Sequence, residues 1–171
     1  LSNGIAVTLV ERDNVPAVTM ALTLDAGSVV DPADAAGRHQ LMLDMLSEGT
    51  TSRDQFDIMV EEEQLGASVM VSPGVDTSRI YLSSLTSNLP QSLDLMADIA
   101  LNPAFEPDAF ERTKALRLAG IAEELTSPDN LAGRALSRVL FGDGNPYAMA
   151  SNSGDAKAIA ALNLADVRAE H

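Results

Sequence analysis

The chain has 171 residues, a length that suits a single domain. Eleven Lys and Arg against 25 Asp and Glu leave a formal charge of −14, which repels phosphate backbones and argues against nucleic acid as a partner. With no cysteine and only His39 and His171, disulfides, thiolate nucleophiles and cysteine-based zinc sites are excluded, and no run reaches the roughly 18 apolar residues of a membrane helix.

The turn pair Asn3-Gly4 precedes a β-branched apolar run, Ile5–Val10, which reads as a first strand. After the loop Asp13-Asn14-Val15-Pro16 comes a second, Ala17–Leu24, whose alternation puts Val18, Met20, Leu22 and Leu24 on one face and Thr19 and Thr23 on the other. A loop through Gly27 and Pro32 leads to a helix near Ala36–Ser47. Its apolar residues leave only a narrow polar stripe, Gln40, Asp44 and Glu48, so the helix is expected to be buried on most of its surface. Ser52-Arg-Asp-Gln55 has capping-box spacing and opens a helix that Gly66 closes. Ala67–Ser72 and Ser78–Leu85, joined by Pro73-Gly-Val-Asp76, read as a hairpin. Helices follow at Leu89–Leu101, Pro107–Leu125 and Pro128–Phe141, with proline in the first turn of the last two, where its missing N–H is harmless. The loop Gly142–Tyr147 is rich in breakers; a short helix at Asp155–Leu162 then ends at Asn163, which caps a further one through Asp166. Paired strands followed by paired helices define an α+β fold, a mostly antiparallel sheet with helices on one face.

Few residues carry chemistry. His39 has Leu43 four residues on, so the paired-histidine helix face of a zinc site is missing, and it reads as a capping or surface histidine. Gln40, Asp44 and Glu48 stand one turn apart and read as a solvated or hydrogen-bonded stripe. Glu61-Glu62-Glu63 and Glu123-Glu124 are carboxylate runs whose neighbours point about 100° apart, which suits solvated helix faces better than an acid/base pair. No Gly-x-Ser-x-Gly elbow exists, both histidines look uncommitted, and the methionines are expected mostly on core faces.

Several short runs nevertheless occur together in a specific order: Leu1-Ser-Asn-Gly4, Val15-Pro16, Asp25-Ala-Gly-Ser28, Asp31-Pro32, Gly37, Met45-Leu-Ser-Glu-Gly-Thr50, Leu65-Gly-Ala67, Asn102-Pro-Ala-Phe105, Phe110-Glu-Arg112 and Asn145-Pro-Tyr147. In that order they resemble the M16 metallopeptidase family of insulysin, pitrilysin and the mitochondrial processing peptidases. Active members carry His-x-x-Glu-His on the helix before Met45. The resemblance places Gln40 at the first histidine, Leu43 at the glutamate and Asp44 at the second histidine, so no catalytic residue and no metal ligand set is expected here. The family's distal glutamate ligand would fall near Glu123 or Glu124. The resemblance therefore implies a non-catalytic half without zinc, pairing with an active half that holds zinc and closing with it round a peptide chamber, in the same chain or as a separate subunit. It implies that residues 1–171 are the first domain of that half, truncated at the C-terminal end, with a second domain beyond His171. A bacterial, periplasmic setting is the expectation. Two alternatives are a structural scaffold without a peptidase role, and a Gln40/Asp44/Glu123 set holding a metal that prefers oxygen ligands.

Overall fold

The computed structural model describes residues 2, 4–11, 14–142, 145–149 and 153–171. Leu1, Asn3, Asp13, Asp143 and Gly144, which belong to the expected turns and loops, lie outside the described residues.

Three antiparallel strands form the sheet: β1 (Ala17–Leu24), β2 (Ser68–Ser72) and β3 (Ser78–Leu85), in the order β1-β3-β2. Leu22 and Val71 flank Ile80, and Met20 and Val69 flank Leu82, which puts these six apolar residues on one face. On β3 the alternation is complete, with Ser78, Ile80, Leu82 and Ser84 buried and Arg79, Ser83 and Leu85 exposed. Helices α1 (Arg38–Leu46), α2 (Gln55–Leu65), α3 (Leu89–Leu101), α4 (Pro107–Glu124), α5 (Pro128–Phe141), α6 (Pro146–Met149), α7 (Ala156–Ala161) and α8 (Leu164–Glu170) complete the α+β domain. Among the described residues no helix is long and apolar enough to cross a membrane.

Helix α1 is the hub of the core. Seven of its nine residues are buried, and Leu41, Leu43, Met45 and Leu46 pack in one cluster with Ile80, Leu82, Leu95, Ile121, Ile159 and Val167. Its start is fixed by Asp31, whose carboxylate accepts the amides of Gly37 (2.8 Å) and His39 (3.1 Å). Burial pushes the Asp31 carboxyl above its ordinary value, against the lowering pull of those two amides. Gly37 itself has φ +102, and a Cβ there would meet the Ile159 side chain at 2.8 Å, so glycine is required twice over.

The structure corrects four expectations. Residues 5–11 form no strand; Val7, Leu9 and Val10 are 64%, 76% and 74% exposed, because β-branched residues need a sheet face to pack on and none is offered here among the described residues. The capping box of α2 lies two residues later than expected, with Asp54 at the N-cap accepting from the Asp57 amide at 2.8 Å and the Asp57 carboxylate accepting from Asp54. Ser52 turns away to donate to Asp98. The loop Gly142–Tyr147 gives way to the short helix α6 at Pro146, a residue suited to a first turn. Met42, Met45 and Met96 are buried, but Met20, Met59 and Met70 are exposed, Met70 because it faces outward opposite Tyr81.

The turn between α1 and α2 is tied to α3 by Asp98. This carboxylate accepts from Thr50 (2.6 Å), Ser52 (2.9 Å), Arg53 (2.7 Å) and Asn102 (2.9 Å). Burial raises its pKa, but the four donors outweigh that and hold it at about 2, below the ordinary 3.8. A depressed carboxyl stabilises the fold fully above the unfolded value and loses that contribution as pH falls through the folded one. Acid unfolding of the parent should therefore steepen between about pH 4 and pH 2. Asp98→Asn, less stable at neutral pH, should lose that part of the pH dependence; an unchanged acid-melting profile in the variant would refute this account.

Candidate functional site

Gln40, Leu43 and Asp44 occupy consecutive turns of α1, and the core decides what each can do. Leu43 is 1% exposed and is packed as a core residue, whereas Gln40 is 6% exposed and donates from Nε2 to Asp44 Oδ1 at 3.1 Å. The other oxygen of Asp44 accepts from the guanidinium of Arg117 on α4, which packs against α1. Glu48, one turn on, accepts from Arg112. The polar stripe is thus hydrogen-bonded, as its spacing allowed.

The facing side of α4 carries Arg117, Gly120, Ile121 and Glu124. These four, with Asp44, Leu116 and Ser153, line a cleft of about 360 Å³. Glu124 is clamped by Arg134 of α5 at 2.9 and 3.0 Å, while Arg134 also reaches the Gly154 carbonyl at 3.3 Å. The Arg134 hydrogen bonds hold the Glu124 carboxyl below its ordinary range, against burial. Of the two expected remnants of a distal ligand, Glu124 faces the cleft; Glu123 is exposed and does not line it. Gly120 has open space where a Cβ would stand.

These residues do not fit zinc. A zinc site needs three or four imidazole, thiolate or carboxylate ligands. Here the positions offer an amide, a buried alkyl chain and a carboxylate already neutralised by a guanidinium. Among the described residues no three His, Cys, Asp or Glu side chains are grouped to hold a metal.

The two histidines are not uncommitted. His39 is 2% exposed, so it is not a surface residue; its Nε2 lies 2.9 Å from Ser78 Oγ and its Nδ1 3.2 Å from Glu170 Oε1. A carboxylate at Nδ1 fixes the proton there, so in the neutral ring Nε2 accepts from Ser78. The order Ser-His-Glu resembles a nucleophile relay. Ser78, however, is fully buried and no substrate carbonyl can reach it. The chain instead ties α8 to α1 and β3, reinforced by Arg38, which contacts the second oxygen of Glu170 at 2.5 Å. His171 Nε2 lies 2.9 Å from the Ala100 carbonyl, and its ring meets Phe105 edge-on at 5.6 Å. Separations of 39 and 131 residues within the His39 chain leave no local signal in the sequence. The carboxylate triplet of α2 is partly engaged: Glu61 accepts from Arg53 and Glu62 from the Val69 amide, leaving Glu63 exposed.

Comparison with known proteins places these features in a family. The profile of the insulinase family (peptidase family M16) matches residues 7–146. The inactive domain of an M16 peptidase from Pseudomonas fluorescens superposes with a TM-score of 0.88 at 34% identity, over 95% of this chain and 39% of that one. Subunit 1 of the mitochondrial cytochrome b-c1 complex of Bos taurus is 26% identical over 167 residues, 98% of this chain and 34% of its own length. The β subunit of the mitochondrial processing peptidase of Rattus norvegicus is 27% identical over 127 residues, 74% of this chain and 26% of its own. The chain thus spans between about a quarter and a third of the length of the curated relatives it matches.

Proposed function

The chain belongs to the insulinase (M16) peptidase family, and from that premise we propose that it is a non-catalytic domain that pairs with a zinc-bearing half and forms part of the wall of a peptide-degrading chamber. The observation that carries this reading is the state of α1. Leu43, which the resemblance aligns with the general base, is a core side chain, and Asp44, which it aligns with a ligand, is bound to Arg117. Among the described residues of the cleft, both carboxylates, Asp44 and Glu124, are held by guanidinium groups. Zinc and hydrolysis then belong to the partner half, whose active site this domain helps to enclose.

A second reading, a scaffold domain without any peptidase role, is favoured by the similarity to the b-c1 complex subunit over almost the whole chain. The two readings separate kinetically. A chamber needs both walls to hold a substrate in reactive geometry. This domain, together with the domain that completes its half, should raise kcat/KM of the zinc-bearing half and hydrolyse no peptide alone. Equal kcat/KM with and without it, once the active half is stabilised, would leave the scaffold reading standing.

A further inference from the structure

In the cleft between α1 and α4 the side chain of Arg117 fills a particular place. Its side chain is only 20% exposed, and its guanidinium lies on Asp44, the residue that the resemblance sets at the end of the degenerate motif. One turn further along α4 are Gly120 and Ile121, and the next turn carries Glu124, which is matched by its own cation, Arg134. Each carboxylate of the cleft therefore has a guanidinium. The site is charge-compensated from within, by side chains that cannot lose their proton.

We propose that Arg117 is the built-in cation of this site, standing beside residue 44 where zinc-bearing relatives hold a metal ion, so that it weakens the hold of restored ligands on zinc while it remains. The inference rests on the placement of Gln40 and Asp44 at the ligand positions of the motif. Physically it needs only that a half-buried guanidinium and a divalent ion repel at close range in a site that water screens poorly. Losing the imidazoles is then not the whole of what separates this domain from a metal site. The arginine on Asp44 adds to it.

The test is zinc titration against a chromophoric chelator, with metal content checked by elemental analysis, and it leaves Leu43 in place so that the core stays intact. The parent should take up no stoichiometric zinc. Gln40→His/Asp44→His puts an imidazole pair one turn apart on α1. That variant should bind zinc at least tenfold more weakly than the same chain carrying Arg117→Met, which keeps the aliphatic stem and removes the charge. Arg117→Lys, which keeps a charge, should behave like the arginine chain. Equal zinc affinity with and without Arg117 overturns the inference and leaves the motif placement intact. No zinc in any variant, with each one folded by circular dichroism, overturns the placement and the inference with it. If the two-histidine chain does not fold, the comparison is read from Gln40→His with Asp44 kept, with and without Arg117→Met, under the same criteria.

Discussion

The metal-free triple variant Gln40→His/Leu43→Glu/Asp44→His should melt far below the parent. Leu43 is 1% exposed inside the cluster that α1 shares with β3, α4, α7 and α8. Removing a buried leucine side chain costs about 2–5 kcal/mol, and placing a carboxylate there without a partner adds further desolvation, offset only in part if the group stays protonated. At this chain length each kcal/mol lowers Tm by about 2–4 °C, so a fall of roughly 10 °C or more is expected. Leu43→Glu alone should account for most of it, since Asp44 lines the cleft and Gln40, though buried, is a polar side chain hydrogen-bonded to Asp44. Thermal melting at neutral pH without added zinc is the measurement. A triple variant that melts with the parent would show that Leu43 does not anchor the core.

The buried chain Ser78–His39–Glu170 should be the next most costly to break. His39→Leu preserves much of the volume but leaves the Ser78 hydroxyl, fully buried, without its ring partner, and Glu170 with Arg38 alone on that side. A buried hydroxyl or carboxylate that loses its partner costs about 1–3 kcal/mol each, so a loss of roughly 2–4 kcal/mol is expected. The diagnostic is the second substitution. Ser78→Ala made in the His39→Leu chain should restore part of the stability, because it removes the orphaned hydroxyl, whereas in the parent it should destabilise. If Ser78→Ala has the same effect in both backgrounds, the two side chains are not coupled.

What the sequence disclosed and what it withheld divide along physical lines. Local periodicity and end signals located β2, β3, α3, α5, α7 and the cap of α8 to within a residue or two, because proline, glycine and Asx caps act on their own neighbours. The alternation of Ala17–Leu24 fixed which face of β1 meets the helices. Ile5–Val10 misled because strand propensity says nothing about whether a sheet edge is present. At the site, Gln40, Leu43 and Asp44 were singled out only through the resemblance to the M16 family. Arg117, Arg134, Ser78 and Glu170 were not, since each meets its partner through tertiary packing. The only cue within α4 was the spacing of Arg117, Gly120 and Glu124, and it means nothing until α1 is known to lie alongside.

The burial of seven of the nine residues of α1 has a consequence for what this architecture tolerates. Domains built round a structural zinc site fold only when the metal is present, so their ligands cannot drift. Here the helix is fixed by leucine and methionine packing and by Asp31 at its start, none of which involves a metal. The packing that holds α1 is therefore independent of any bound ion, and it stays in place whatever side chain stands at position 44 on the cleft side. An architecture of that kind can shed its reaction and persist as a shape available for assembly.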